Sequence, residues 1–220
     1  MNSKNSLLNK KGFTLVEVLF AITIGLLLLS AIYVAVQSGQ RSSVAIEAKT
    51  AAQQDVRAAL DLMAMEIGMA SYWRRTGISN PWGASANKGI ILAANNIIQI
   101  QADINDDGDV ADSNEDIRYE YVIAEQRITR RNGTGVAQPF LGDDPASRRP
   151  RVVRVINNDI GIPVFRYFDG TGAETANIPD IRRIDITLAV ETDAIDPNTG
   201  QRRRMIYSTS VIPRNHAINP

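Results

Sequence analysis

Residues Phe13 to Val36 read FTLVEVLFAITIGLLLLSAIYVAV, with Glu17 as the only charge and no proline. As a helix rising ~1.5 Å per residue, this stretch reaches roughly 36 Å, slightly more than the roughly 30 Å hydrocarbon core of a bilayer. It can therefore cross a membrane with a modest tilt. Ahead of it stand Lys4, Lys10 and Lys11 without an acid, so the positive-inside tendency keeps residues 1–12 in the cytoplasm and exports the remainder. A secretory signal peptide would have a shorter apolar core and a small-x-small cleavage site behind it, for which Ala35-Val36-Gln37 is a poor match. A plain single-pass anchor explains the length but leaves Glu17 unexplained. A carboxylate at membrane depth costs about 2.5–3.5 kcal/mol on insertion scales, so such an acid usually has a partner or a function.

A cut between Gly12 and Phe13 would supply the partner. Phe13 would then carry a positive α-amino group four residues before Glu17, reinforced by the partial positive charge of the helix N-terminus. The same amine is within reach of Glu17 from a neighbouring copy packed in parallel with an axial offset. The pair would then set subunit register in a helical array.

Lys10-Lys11-Gly12-Phe13-Thr14-Leu15-Val16-Glu17 closely resembles the processing site of type IV prepilins and type II secretion pseudopilins. The resemblance implies that a prepilin peptidase cuts after Gly12 and methylates the amine of Phe13. It also implies that Glu17 is the membrane-buried acid used in assembly. Many major pilins have a proline about one-third of the way along their long helix, whereas this segment runs unbroken through Tyr33, Val34 and Ala35. That departure points away from a major subunit.

Beyond the apolar run, Gln37 to about Trp73 is rich in Ala, Gln, Arg and Glu, with glycine only at 39 and 68. Val56, Leu60, Met63 and Ile67 recur at helical spacing on one face, which predicts that the helix continues out of the membrane. The stripe Met63, Met65 and Met69 is read as packing beneath a sheet. Gly77 to Pro81 breaks the pattern. Eight strand signals follow, at 89–92, 97–102, 117–123, 126–131, 152–156, 164–168, 181–190 and 205–211. In the seventh, Ile184, Ile186, Leu188 and Val190 alternate with smaller or polar residues, as expected for a half-buried antiparallel strand. Asn132-Gly133 and Asp169-Gly170 supply turns. The expected fold is α+β and pilin-like: a long N-terminal helix, membrane-spanning in its first half, packed against an antiparallel β-sheet head. The boundaries are 1–12 for a cleaved leader, 13–36 for the membrane half of the helix, 37–75 for its exported amphipathic half and 76–220 for the head. The phrases FRYFDGTGAE, IRRIDITLAVET and STSVIPRN make the head similar to PilW-type minor pilins and, more distantly, GspJ-type pseudopilins.

The 220-residue composition narrows the chemistry. With no cysteine, disulfides, thiolate zinc sites and cysteine nucleophiles are excluded. The single histidine, His216, leaves most acid/base catalysis without its usual residue and is expected at the surface. Lys+Arg and Asp+Glu balance at 24 each, which argues against a general polyanion binder.

Asp103 to Asp116, DINDDGDVADSNED, holds seven acids and no base. Oxygen-bearing residues at alternate positions followed by Gly108 match the first half of a calcium loop. The second half departs from that pattern, because Asn114 occupies the bidentate-acid position and Glu115 is one residue late. The expected ligands are Asp103, Asn105, Asp107 and Asp109, closed by Asp112 or Glu115; the alternative is a solvated connection built on Asx-turns. Arg148, Arg149, Arg151 and Arg154 form one basic cluster and Arg202 to Arg204 another. Both are read as solvated strand ends, since the aromatic interleaving needed to stack single-stranded nucleic acid is missing and no nucleic-acid partner is expected. Asn132-Gly133-Thr134 is formally a glycosylation sequon but first a turn. Tyr72, Trp73 and Trp82 are expected where the helix meets the head.

No catalytic residue is expected. The resemblance implies a low-copy structural subunit of a type IV pilus that helps initiate or cap the filament. Its implied partners are other pilins, the prepilin peptidase and the bacterial inner membrane, with calcium as the one cofactor in view. A type II secretion pseudopilin, and a membrane-anchored exported enzyme or calcium-dependent adhesin, are the alternatives.

Overall fold

The computed structural model describes residues 12–74, 79–142 and 153–216. It separates into two compact units, Met1–Val44 and Ala45–Pro220. A single helix, α1 (Leu15–Gly68), contributes to both.

Within the first unit none of residues 12–44 is buried. Leucine, isoleucine, valine and phenylalanine point outward on every side of the helix, the pattern of a helix that faces lipid rather than a protein core. Two hydroxyls within the apolar run are satisfied without water. Thr23 Oγ1 donates to the Leu19 carbonyl at 2.8 Å and Ser30 Oγ to that of Leu26 at 2.6 Å, so neither presents an unpaired donor to hydrocarbon. Near the end of the apolar run polar side chains bond one another again, where Gln37 donates to the Tyr33 hydroxyl and Arg41 to the Gln37 amide oxygen.

The second unit places Ala45–Gly68 of the helix in one core with two antiparallel sheets. Ala52, Val56, Ala59, Leu60, Met63 and Ile67 are buried together, at the three- and four-residue spacing of a single helical face. Of the methionine stripe only Met63 enters this core, and Met65 is exposed. The first sheet follows chain order: β1 (Ile90–Ala94), β2 (Ile97–Gln101), β3 (Asp116–Val122), β4 (Arg127–Asn132) and β5 (Gln138–Leu141). The second comprises β6 (Val153–Val155), β7 (Phe165–Phe168), β8 (Arg183–Thr192) and β9 (Arg204–Val211). Strand β8 is its spine. It pairs with β6 and β7 along one edge and with β9 along the other, and Ile184, Ile186, Leu188 and Val190 all lie in the core. Main-chain bonds from Val155 to Gln126 and from Phe165 to Asn95 link the sheets, as do the hydroxyls of Tyr121 and Tyr167.

The α+β pilin-like architecture is thus present, with two sheets where a single one was expected. β5 is a ninth strand outside the eight sequence signals. Pro139 interrupts its alternation, and the strand tolerates that proline because it lies at a sheet edge. The helix stops at Gly68 instead of near Trp73. Beyond Gly68 the chain tightens through i→i+3 bonds from Met69, Ala70 and Tyr72, and Ser71 adopts a left-handed conformation with φ 66°. Gly89 fits where three segments converge: its amide donates to Ser71 Oγ, the Ser71 amide donates to the Gln101 carbonyl, and the Gln101 amide donates back to the Gly89 carbonyl. A Cβ at position 89 would lie 2.2 Å from the Gln101 carbonyl oxygen and 2.4 Å from the Ser71 nitrogen.

Gly77 and Ile78 of the breaker at 77–81 and the residues Arg148, Arg149 and Arg151 lie outside the described residues, as do Lys4, Lys10 and Lys11.

Candidate functional site

Two places carry the residues singled out by the sequence: the entry to α1 and the connection between β2 and β3. At the first, Gly12 and Phe13 are non-helical and exposed, Phe13 at 87%. Thr14 is the N-cap. Its amide donates to Glu17 Oε2 at 2.9 Å, its hydroxyl donates to the same oxygen at 3.0 Å, and the Glu17 amide donates back to the hydroxyl at 3.2 Å. This is a capping box, in which the N-cap and N3 side chains satisfy amides that the helix cannot. The Thr-x-x-Glu spacing ahead of an apolar run is the sequence signal for it. Glu17 therefore has a partner in its own chain, and the Gly12–Phe13 peptide stands accessible just upstream.

At the second place the Asp103–Asp116 segment folds back through its own side chains. Asp103 Oδ1 accepts the Asp107 amide and Oδ2 that of Gly108. Asn105, Asp107 and Asp109 each accept the amide two residues ahead. Gly108, at φ 85°, turns the chain where a side chain would be strained. Glu115 reaches back from the far end, its Oε1 accepting the amides of Ile104 at 2.7 Å and Asn105 at 2.9 Å. Of the six expected ligands, Asp103, Asp107 and Glu115 are brought together, each offering an oxygen within 4.8 Å of the others. Asp109 and Asp112 stand outside this trio. Asn105 turns its amide nitrogen toward Asp107 Oδ2 and Asp112 Oδ2.

Elsewhere, arginines pair with acids. Arg154 meets Asp193 at 2.6 Å, Arg203 meets the buried Asp196 at 2.8 Å and Arg204 meets Glu191 at 2.9 Å, while Arg202 donates to the Asp193 carbonyl. The backbone amide of Asn198, then Arg203, hold the Asp196 carboxyl below its usual range. Charge that is already paired offers little to a polyanion.

His216 overturns its expected surface position, being 2% exposed. Nε2 lies 2.8 Å from the Ile178 carbonyl and Nδ1 lies 2.9 Å from Ser71 Oγ, so a neutral ring donating from Nε2 satisfies both contacts. Burial, with Lys88 and Arg182 nearby, pushes its pKa down. The ring ties the C-terminal segment to the end of the helix. Its second nitrogen meets a carbonyl, not the carboxylate that would orient a catalytic base.

Glu66 also escaped the sequence reading. It is buried on the core side of α1, where Arg130 grips it with two bonds of 3.1 and 2.7 Å and the Tyr119 hydroxyl donates to Oε2. Its three-residue offset from Met63 placed it on the apolar face. Burial, then the adjacent Glu66 carboxylate, raise the Tyr119 pKa, so the phenol stays a donor.

A family model described as the prokaryotic N-terminal methylation motif matches residues 7–33. No curated protein and no solved structure matches the chain. The matched stretch includes Gly12, Phe13, the capping box and the opening of α1, a helix long and apolar enough to cross a membrane. It supports a pilin-like or pseudopilin-like structural protein anchored by that helix, and it implies processing by a prepilin peptidase and assembly with other pilins.

Proposed function

We propose that this chain is a prepilin, cut between Gly12 and Phe13, N-methylated on Phe13, held in the inner membrane with its β-rich unit in the periplasm, and then built at low copy into a type IV pilus as a minor subunit. The supporting observation is the order of parts within residues 12–36: an exposed peptide, a capping box that positions Glu17, and an apolar helix with no internal face committed to a core. Apolar packing between neighbouring helices drives assembly. Exchange of Glu17 from its own Thr14 to the methylated amine of an adjacent copy fixes the register. The unbroken helix favours a minor over a major subunit, and the resemblance of the phrases FRYFDGTGAE, IRRIDITLAVET and STSVIPRN to PilW-type minor pilins is in keeping with that reading. The work is structural, with partner choice residing in the sheets.

Mass spectrometry of the chain from its own membranes should give an amino terminus at methylated Phe13. A terminus at Met1, or one beyond Val36, would overturn the processing step. A type II secretion pseudopilin is the neighbouring reading. Loss of surface filaments on deletion supports the pilus, whereas loss of protein export with filaments intact supports the secretion system.

A further inference from the structure

The connection between β2 and β3 buries negative charge that its own contacts do not neutralise. Asp103 is fully buried and Glu115 is 3% exposed. Glu115 Oε1 takes two amides, but Oε2 is buried with no hydrogen-bond partner. An unpaired carboxylate oxygen in that setting is unfavourable unless a donor or a cation meets it. Six of the loop's amides are already engaged. Those of Ile104 and Asn105 go to Glu115, those of Asp107 and Gly108 to Asp103, that of Asp109 to Asp107, and that of Ala111 to Asp109. Arg74 reaches Asp106 at 3.7 Å, outside the trio. What remains is a buried oxygen awaiting a partner in a residue that joins Asp103 and Asp107 in one cluster.

We infer that Asp103, Asp107 and Glu115 bind one calcium ion. Three carboxylates suit a hard divalent cation, and calcium accepts an irregular shell of 6–8 oxygens in which water and main-chain carbonyls complete the set. Zinc would call for the imidazole or thiolate that this loop lacks. Magnesium demands a near-octahedral shell and gives up water reluctantly, so it fits a loop with two buried carboxylates less well. Glu115, not Asp112, closes the site, and Asp109 lies outside the cluster. The ion would fasten both ends of the connection, and with them the Asp103 amide that donates to Tyr72 just beyond the helix.

The test uses the full chain in detergent, stripped with EGTA and titrated with calcium chloride by calorimetry, with thermal melting in parallel. One ion per chain should bind with a Kd at or below roughly 1 mM, the range of extracellular calcium modules, and raise the melting temperature. Asp107→Asn should weaken binding at least about tenfold, the loss expected when ligand charge is removed, while Asp109→Asn and Asp112→Asn should each change it less than about threefold. Glu115 also holds two amides, so Glu115→Gln can disturb the loop by itself; the exposed Asp107 therefore carries the mutational arm. The inference is overturned by the absence of both binding heat and a melting shift at about 5 mM calcium, by equal affinity for magnesium, or by an unaltered Asp107→Asn variant.

Discussion

Glu17 and Glu66 lie on the same helix and solve the same problem in opposite ways. Glu17 sits among exposed apolar residues and is satisfied by Thr14, three positions away. Glu66 is buried and is satisfied by Arg130 and Tyr119, which lie 64 and 53 residues away. A local cap forms as soon as its helix turn does, whatever surrounds it. A long-range pair exists only when both sheet and helix are folded. The first acid is consequently free to change partners without disturbing the fold, and the second is not.

The largest expected break in that symmetry is Glu17→Ala. It should leave the melting of the β-rich unit unchanged while lowering recovery in sheared filaments at least about tenfold, because a buried acid-amine pair is lost between neighbours. Normal incorporation would remove the acid's role in assembly. Glu66→Ala should do the reverse: stability falls by about 3–5 kcal/mol, the usual result of leaving a buried partner charge uncompensated. Replacing Glu66, Arg130 and Tyr119 together by Met, Met and Phe should restore most of that loss, and a triple variant no better than the single one would show that packing rather than charge is responsible.

A second buried polar group extends the comparison to pH. His216 has its pKa lowered in the fold from an ordinary 6.5, so the folded state prefers the neutral ring. Its contribution is complete above about 6.5 and is lost as pH falls from there toward the depressed folded value. Chemical denaturation at several pH values should show this decline, and His216→Asn should flatten it. The smallest effect belongs to the pair of exposed Arg204 and half-buried Glu191. Arg204→Ala should cost under about 1 kcal/mol in the same assay.

The parts legible in the sequence are those whose signal is periodic and local. Ile184, Ile186, Leu188 and Val190 alternate and are buried, and Val56, Leu60, Met63 and Ile67 recur on one face and are buried. β5 was hidden because Pro139 and a four-residue length leave no alternation to count. Glu66 and His216 were hidden for a different reason. Their burial depends on Arg130, Tyr119, Ser71 and Ile178, which the fold alone brings near. The acidic connection was legible as a cluster but not as a geometry. Counting positions treats Asn105, Asp109 and Asp112 as equals of Asp103 and Glu115, whereas burial separates them.

Gly89 sets a limit of another kind. The atoms that a methyl group there would strike belong to the main chain of Gln101 and Ser71, so no rotamer change can make room and even alanine is too large. Gly39 has nothing within 4 Å of the same imagined carbon and should accept nearly any helix former. A saturation library sorted for folded protein would return an empty column at 89 and a crowded one at 39, two glycines indistinguishable on composition and opposite in tolerance.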